Sequence, residues 1–356
     1  MKKHNFCSGP SILPQVVFEQ AAQAVLNWND SGLSILEISH RSQGFVDIVD
    51  EAVALVKEHL QLTDDYEVIF LSGGATSQFF MTAMNFLDKE ETAAYVDTGI
   101  WSAKAIKEAA AFGNISKIAS SEDKGFSYIP KSYSVPTDAK YLHLTSNNTI
   151  YGTQIHQLPE TDVPIIADMS SDIFSRPIEV ERYGAIYAGA QKNTGTAGAT
   201  LVIIRKDMLG KVNRKIPTML DYTKHIAKNS ALNTPPVFPI YVSLLNLRWL
   251  KSQGGVPAMK TLSEQKAGAL YAEIDRNSCF IGKVAVEDRS LMNITFLLSN
   301  PDLNDKFGAA CDAAGIVAVK GHRLVGGFRA SIYNGMPMES VQVLIEVMQE
   351  FEKENG

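Results

Sequence analysis

The stretch Glu67-Val-Ile-Phe-Leu-Ser-Gly-Gly-Ala-Thr-Ser-Gln-Phe-Phe-Met-Thr-Ala-Met-Asn-Phe-Leu87 places a strand, a glycine turn and a helix in immediate succession. Similar short apolar runs recur at residues 93–97, 140–145, 163–168, 185–189 and 200–204, separated by helices or long crossings. Nearly continuous apolar strands of this kind are typical of a mostly parallel sheet that is buried on both faces. We therefore predict an α/β fold whose sheet is covered by helices on both faces.

After Gln253-Gly-Gly-Val-Pro257 the sequence changes to a long polar helical pattern followed by closely spaced strands and helices. We interpret this segment as a domain boundary. We predict a large domain at residues 16–257 and a smaller C-terminal α+β domain at 258–356, and we assign residues 1–15 to the side of the small domain. Predicted helices occupy 238–251, 258–277, 304–314 and the residues from Met338 onward. Predicted strands of the small domain occupy 283–286, 292–298, 317–320 and 327–333.

Charge and cysteine content argue against several classes of function. Lysine and arginine total 33 against 39 acidic residues, a net charge of −6. Because no polybasic stretch occurs, nucleic acid and anionic membranes are unexpected partners. No apolar run approaches the roughly 18 residues of a membrane span, and residues 1–6 lack the apolar core of a signal peptide. Three dispersed cysteines and histidines without HxxxH or HxH spacing indicate a cytoplasmic protein without a metal site.

In open parallel sheets, ligands bind beyond the carboxyl ends of the strands. The segment Ser72-Gly-Gly-Ala-Thr-Ser77 joins small residues to a helix N-terminus, which favours a phosphate, although a simple tight turn would look the same. It matches neither GxGxxG nor GxxxxGK[ST]. Asp168 ends an apolar strand, where a buried carboxylate would need a cationic partner. The alternative for Asp168 is a loop or helix-capping carboxylate.

Two further strand ends carry a lysine and a tryptophan. Lys192 directly follows a predicted buried strand, where a low dielectric would lower its pKa, as a Schiff-base nucleophile requires. The alternative is a lysine that extends to solvent. Trp101, which ends Thr98-Gly-Ile-Trp101, either stacks on an aromatic ligand or fills the core. A phosphate loop, a carboxylate, a lysine and a stacking aromatic are together the groups that pyridoxal phosphate requires.

Ordered motifs over essentially the whole chain resemble the phosphoserine aminotransferase family, a group of class V, fold-type I pyridoxal-phosphate enzymes. These motifs are Asn5-Phe-Cys-Ser-Gly-Pro10, Glu37-Ile-Ser-His-Arg-Ser42, Tyr95-Val-Asp-Thr-Gly-Ile-Trp-Ser102, Ala167-Asp-Met-Ser-Ser171, Ser175-Arg-Pro177, Tyr187-Ala-Gly-Ala-Gln-Lys-Asn193, Leu232-Asn-Thr-Pro-Pro236 and Lys320-Gly-His-Arg-Leu-Val-Gly-Gly-Phe-Arg-Ala-Ser-Ile-Tyr-Asn334. The resemblance implies transfer of an amino group from L-glutamate to 3-phosphohydroxypyruvate, which gives O-phospho-L-serine and 2-oxoglutarate. It places this reaction in serine biosynthesis, with a related role in pyridoxine biosynthesis, and implies a homodimer with shared active sites.

The same resemblance implies which residues bind the cofactor. Lys192 forms the Schiff base, Asp168 pairs with the pyridinium nitrogen, and Trp101 stacks on the ring. Thr149 donates a hydroxyl near the ring substituents. The cofactor phosphate is held by Ala75, Thr76 and Gln191 of one subunit and by Asn233 and Thr234 of its neighbour.

For the substrate, the resemblance implies that Arg329 grips the α-carboxylate. The side-chain anion is implied to bind to two His-Arg pairs, His40-Arg41 and His322-Arg323, and arginine offers the forked donors that suit phosphate. Many members of the family carry an arginine in the loop where this chain has Thr76, and that arginine contacts the substrate phosphate. The resemblance therefore does not extend to this one contact with the substrate.

Several alternative functions follow from the same residues. A serine–pyruvate type transaminase on this fold would have less use for two His-Arg pairs. A cysteine desulfurase needs a cysteine on a mobile loop, whereas Cys311 lies in a helical pattern. A dinucleotide-dependent oxidoreductase would need the absent glycine fingerprint. A binding protein without a cofactor would not need the lysine and the aspartate.

Overall fold

The structure is a computed structural model and describes residues 3–356. Its helices are α1 Gln15–Leu26, α2 Gln43–Leu60, α3 Ala75–Phe86, α4 Ile100–Ala109, α5 Tyr222–Ile226, α6 Val237–Ser252, α7 Gly255–Arg276, α8 Asn304–Ala313 and α9 Met338–Asn355. Its strands are β1 His4–Asn5, β2 Tyr66–Ser72, β3 Thr92–Asp97, β4 Asn114–Ser120, β5 Leu142–Thr145, β6 Ile165–Asp168, β7 Tyr183–Gly189, β8 Ala199–Arg205, β9 Phe280–Ile281, β10 Asn293–Leu298, β11 Ile316–Val317 and β12 Phe328–Ser331.

Seven strands form the central sheet in the order β2-β8-β7-β6-β5-β3-β4. Neighbouring strands are parallel except where β8 is involved, because β8 runs antiparallel to both β2 and β7. Six strands therefore point the same way, and their carboxyl ends meet at one edge of the sheet. The predicted mostly parallel sheet is confirmed.

Both faces of this sheet are buried. In β8, Leu201 and Ile203 join the apolar core formed with α1, α2 and α6, while Val202 and Ile204 join the opposite core formed with α3 and α4. Alternate residues of one strand thus face two different cores. This explains why the strands appear in the sequence as continuous apolar runs, and it confirms the prediction of helices on both faces.

Helix α2 illustrates how local sequence signals build one of these layers. Its N-cap is Ser42, whose side chain accepts a hydrogen bond from the backbone N–H of Phe45 at 3.4 Å. Phe45, Ile48, Val49 and Ala52 follow at helical spacing and are all buried. The helix therefore starts at a favourable cap and presents one apolar face to the sheet.

A second, separate core lies in the C-terminal region. Strands β9, β10 and β12 form a small antiparallel sheet, which packs with α7, α8 and α9. The N-terminal residues belong to this core too, because β1 pairs with β11 in parallel and Phe6 is fully buried there. Helix α7 contributes to both cores, with Val256 in the first and Leu270 in the second. The proposed domain limits remain a prediction.

The structure corrects some of the predicted strands. Residues 283–286 form no strand, because Ala285 N–H donates to the carbonyl of Ser127 at 2.9 Å in a loop of the large domain. The strand β4 was not predicted, since its residues are half-buried or exposed at the sheet edge and lack an apolar run. In the small domain, β11 and β12 are shorter than the predicted strands.

Two further observations concern the described chain as a whole. Within residues 3–356, no helix is both long and apolar enough to cross a membrane. The same residues contain no group of three or more His, Cys, Asp or Glu side chains arranged to hold a metal ion.

Candidate active site

A cavity of about 280 Å³ opens at the carboxyl edge of the central sheet. Strands β5 and β6 end in it at Thr145 and Asp168, and the loop after β7 brings Lys192 to it. Because these strands are parallel, residues far apart in the sequence meet at the same edge. Of the predicted site residues, the cavity is lined by Ala75, Thr76, Trp101, Thr149, Asp168, Gln191, Lys192, His322 and Arg329.

The turn between β2 and α3 forms one wall of the cavity. Helix α3 starts at Ala75, and the first N–H groups of a helix have no intrahelical acceptor and carry the positive end of the helix dipole. Gly73 has a φ of 106°, a conformation that suits glycine, and its carbonyl accepts a hydrogen bond from Thr200 Oγ1 at 3.1 Å. This bond anchors the turn to β8, so the free N–H groups of α3 form a preorganised site for an anion such as a phosphate.

Asp168 is a buried carboxylate at the end of β6. It is 6% exposed, and its Oδ1 accepts a hydrogen bond from the backbone N–H of Ser170 at 2.9 Å. Ser170 is itself fixed, because its hydroxyl accepts from Gly189 N–H at 3.1 Å. Burial raises the pKa of Asp168, while the bonds from Ser170 and the charge of Lys192 oppose that rise. A cationic group of a ligand would compensate the lost solvation of this carboxylate.

Lys192 extends into the cavity from the loop after β7. Its Nζ donates a hydrogen bond to Thr149 Oγ1 at 2.7 Å. Burial of the amino group lowers the pKa of Lys192 to about 8; the carboxylate of Asp168 raises it and the guanidinium of Arg329 lowers it further. Roughly a tenth of this amine is therefore neutral at pH 7, far more than for a solvated lysine, and the neutral form is the one that a nucleophile or a base requires.

Trp101 is held in place by the cap of α4. Ser102 Oγ donates to Asp97 Oδ1 at 2.9 Å and accepts from the backbone N–H of Gly99 at 2.9 Å. Gly99 has a φ of 152°, and a Cβ at this position would lie 2.8 Å from the ring of Tyr151. The turn that presents Trp101 to the cavity is therefore closely constrained and requires glycine.

Among the buried polar atoms of the cavity that lack a hydrogen-bond partner in the described chain, two indicate whether pyridoxal phosphate would fit there. The indole Nε1 of Trp101 and the hydroxyl of Thr145 are buried, belong to residues that line the cavity, and have no hydrogen-bond partner within residues 3–356. Buried donors and acceptors normally have partners. These two groups, together with the N-terminus of α3 and the carboxylate of Asp168, fit a ligand that combines an aromatic ring, a phosphate and a ring nitrogen.

Cations gather around another part of the cavity. Arg329 is 9% exposed; its Nη1 donates to the carbonyl of Thr149 at 3.2 Å and its Nη2 to Ser8 Oγ at 2.7 Å. The Nε of Arg329 is buried without a partner in the described chain. Partial burial lowers the pKa of His322, and the charged groups that lower it further are Arg329, Arg323 and Lys104. This group of positive charges in a chain of net charge −6 suits an anionic substrate.

Some predicted residues do not line this cavity. Arg323 and Thr234 are exposed, and Arg41 is exposed in the turn before α2. Asn233 and His40 are partly buried, and the side-chain amide of Asn233 donates to the carbonyl of Thr234 at 3.1 Å. The cavity of one chain thus contains the cofactor residues predicted to come from that chain, together with His322 and Arg329, but not His40, Arg41, Asn233, Thr234 or Arg323.

The N-terminal segment completes the cavity, and sequence reasoning assigned it no role. Ser8 and Gly9 line the cavity, Ser8 binds Arg329, and Ser11 Oγ donates to the carbonyl of Lys192 at 2.8 Å. The motif Asn5-Phe-Cys-Ser-Gly-Pro10 is one of those that resemble the family, and this was the signal in the sequence that could have placed the segment at the site. Thr145 and Ser170 were also missed, although both lie at the strand ends that pointed to the site.

The structure disfavours thiol chemistry at Cys311. This residue lies in α8, is 1% exposed and packs in the core of the small domain. Burial raises the pKa of its thiol to about 12. A buried thiol with a raised pKa is a poor nucleophile, in contrast to what a cysteine desulfurase needs.

Comparison with known proteins first identifies a class. The family model Aminotransferase class-V matches residues 4–344. Among curated relatives, phosphoserine aminotransferases from Flavobacterium johnsoniae and Phocaeicola vulgatus are 56% and 57% identical, and each alignment covers 99% of both chains.

Solved structures lead to the same group. A phosphoserine aminotransferase from Bacillus circulans subsp. alkalophilus superimposes with a TM-score of 0.97 at 42% identity, covering 100% of this chain and 99% of that one. The pyridoxal-phosphate-bound phosphoserine aminotransferase from Trichomonas vaginalis gives a TM-score of 0.93 at 35% identity, with 98% and 100% covered. The chain therefore belongs to the class V aminotransferases and, within them, to the phosphoserine aminotransferase family.

Proposed function

We propose that this chain is a pyridoxal-phosphate-dependent aminotransferase. It transfers the amino group of L-glutamate to 3-phosphohydroxypyruvate and gives O-phospho-L-serine and 2-oxoglutarate. One observation carries the proposal: a single cavity contains the amine of Lys192, the carboxylate of Asp168 and the guanidinium of Arg329. The names of the relatives, with over 50% identity along the chain, support the same reaction.

The chain offers a complete set of groups for the cofactor. The N-terminus of α3 at Ala75 and Thr76, with Gln191, would hold the phosphate, and Asp168 would keep the ring nitrogen protonated. The ring would lie against Trp101. When bound, pyridoxal phosphate supplies an aldehyde and an electron-withdrawing ring that stabilises negative charge at the substrate Cα.

Lys192 performs the proton transfers in this proposal. Lys192 would hold the cofactor through its aldehyde, and its Nζ, when released as a free amine by the amino donor, would take the proton from the substrate Cα as a base and later give up a proton as an acid. Thr149 Oγ1 accepts a hydrogen bond from the same Nζ and so orients it toward the cavity. The pKa of Lys192, lowered to about 8, suits a group that must both accept and donate a proton.

Arg329 and its neighbours orient the substrate. The remaining N–H groups of Arg329 are free to grip an α-carboxylate with two parallel hydrogen bonds. His322 lies within electrostatic reach of both Arg329 and Arg323, and these cations would supply positive charge for the phosphate. Thr76 is exposed at the start of α3 and brings a hydroxyl but no charge, so phosphate recognition rests on the two His-Arg pairs.

We further propose a two-fold homodimer with shared sites. His40, Arg41, Asn233 and Thr234 lie outside the cavity of their own chain, as they would if they served the partner. Large apolar side chains are exposed in the segment before His40: Phe18 is 47%, Leu26 78%, Leu33 48% and Leu36 62% exposed. Exposed apolar side chains of this size favour an interface between subunits.

Mixing two inactive variants tests the shared site. One carries Lys192→Ala, and the other carries Asn233→Ala together with Thr234→Ala. After unfolding, mixing and refolding, a mixed dimer collects both lesions in one site and leaves the other intact, so roughly a quarter of the wild-type activity returns. Wild-type protein treated in the same way is the control. If it recovers and the mixture does not, the shared site is wrong.

The biological setting is a proposal of the same kind. The reaction belongs to serine biosynthesis, with a related substrate in pyridoxine biosynthesis, and the three free cysteines suit the cytoplasm.

Two measurements test the proposed reaction. The purified protein loaded with pyridoxal phosphate should be yellow, and borohydride reduction should attach the cofactor covalently to Lys192 in the wild type but not in Lys192→Ala. Side-by-side assays should show phosphoserine to be a far better amino donor than serine. Equal use of both donors would contradict phosphate recognition, and a colourless wild type would contradict the cofactor.

A further inference from the structure

A fully buried lysine lies in the small domain, away from the catalytic lysine. Lys266, in the middle of α7, is 0% exposed. Its Nζ donates to three backbone carbonyls, those of Ile332 at 3.0 Å, Tyr333 at 2.7 Å and Met336 at 3.1 Å. An ammonium group has three N–H donors, so these carbonyls satisfy all of them without a carboxylate.

The three carbonyls belong to the turn 332–336, which directly follows β12. This turn connects to the substrate side of the cavity, because Tyr333 Oη donates to the carbonyl of Ser8 at 2.8 Å and Ser8 Oγ accepts from Arg329. It also connects to the catalytic loop, because Asn334 N–H donates to Oδ1 of Asn193 at 3.0 Å. The turn thus connects the small domain both to Ser8 and Arg329 on the substrate side of the cavity and to the loop that carries Lys192.

Burial lowers the pKa of Lys266 to about 7, while three carbonyl acceptors favour its charged form. An apolar side chain would pack in this core without desolvating an amino group, but it would remove the donor of three buried carbonyls, so the reason for a lysine lies in what these carbonyls hold in place. Three carbonyls of the turn accept from the single amino group of Lys266. On the other side of the turn, Tyr333 donates to Ser8, which lines the cavity, and Asn334 donates to Asn193, which directly follows Lys192.

We propose that Lys266 is a positioning residue for the substrate carboxylate site: by fixing the turn 332–336, it holds Tyr333 against Ser8 and thereby sets the orientation of Arg329. The proposal rests on the proposed function, since it assumes that Arg329 binds the carboxylate shared by all substrates.

The test compares carboxylate binding in Lys266→Met, Tyr333→Phe and Arg329→Lys. Calorimetric titration with glutarate, a dicarboxylate that cannot react, measures binding to the cofactor-loaded enzyme directly. Both Lys266→Met and Tyr333→Phe should weaken glutarate binding by about tenfold or more and raise KM for glutamate more than they lower kcat. Lys260→Met, an exposed change on the same helix, should leave both quantities unchanged.

A double-mutant cycle separates positioning from general loosening of the fold. If Lys266 acts through Arg329, the pair Lys266→Met with Arg329→Lys should bind glutarate about as weakly as Arg329→Lys alone. Multiplicative losses, or wild-type binding in folded Lys266→Met, would overturn the proposal. If Lys266→Met fails to fold, the same cycle with Tyr333→Phe tests the step from the turn to Arg329 on which the proposal depends, and multiplicative losses there would overturn it. If the wild type were inactive toward phosphoserine, the proposed function would be wrong. The glutarate titrations would still test whether Lys266 positions the carboxylate site.

Discussion

The ionisation of Lys192 can be measured in the protein without its cofactor. Its pKa is lowered to about 8, mainly by burial. The neutral fraction should then rise from about 9% at pH 7 to about 91% at pH 9, a tenfold change with a midpoint near pH 8. A solvated lysine with a pKa near 10.4 would rise about a hundredfold over the same range and show no plateau.

Two substitutions should move this midpoint in opposite directions. The carboxylate of Asp168 stabilises the ammonium form of Lys192, so Asp168→Asn should lower the midpoint. The guanidinium of Arg329 destabilises the same form, so Arg329→Met should raise it. Each direction follows from the sign of the charge removed, since an opposite charge favours the charged form and a like charge disfavours it.

Short pulses of acetic anhydride provide the assay, because only the neutral amine reacts. The peptide that contains Lys192 is quantified by mass spectrometry at each pH, relative to an added lysine derivative that corrects for reagent hydrolysis. A midpoint close to that of the free derivative would refute the argument that burial controls this amine. A midpoint that shifts in the same direction in both variants would refute the assignment of the two neighbouring charges.

Three further predictions concern the site and its support. Asp168→Asn should still bind the cofactor, as absorbance will report, yet lose most turnover, because an amide cannot keep the ring nitrogen protonated; near-native turnover would make the carboxylate merely structural. Gly152→Ala should lower the free energy of unfolding by about 1–3 kcal/mol in urea titrations, because a Cβ there would lie 2.6 Å from Thr295 Oγ1. Gly210→Ala, also at positive φ but with open space around it, is the matched control and should lose less. Arg323→Ala should raise KM for phosphoserine by roughly tenfold or more while leaving alanine, which has no side-chain anion, almost unaffected; equal losses for both would contradict its role.

The central fold could be predicted well from the sequence because strands that are buried on both faces appear as continuous apolar runs. Strands such as β6 and β7 are largely apolar, and polar residues follow where they end: Asp168 is the last residue of β6, and Lys192 lies in the loop after β7. The edge strand β4 shows no such run, since solvent covers part of it and polar residues serve equally well. Residues 283–286 misled for the opposite reason: the segment contains three apolar residues, yet only Val284 is buried and Val286 is 72% exposed.

The site was only partly predictable for a related reason. Strand ends can be located in a sequence, so Asp168 and Lys192 could be proposed from local patterns. Ser8 reaches the cavity only because β1 pairs with β11, a contact between distant parts of the chain that no local pattern encodes. The proposed roles of His40 and Asn233, which lie outside the cavity of their own chain, require an assembly of two chains, and physical reasoning on the sequence of one chain does not determine that assembly.

The bond between Ser8 and Arg329 has a consequence for how the enzyme is made. The two residues are 321 positions apart in the chain. At roughly 5–20 residues per second, a ribosome needs about 15 to 65 seconds to pass from one to the other. The central sheet can assemble during this interval, but the substrate end of the cavity cannot close until the small domain has emerged and captured the N-terminal strand. Ribosome-bound chains that stop shortly before β11 should therefore contain a folded sheet and still lack affinity for carboxylates.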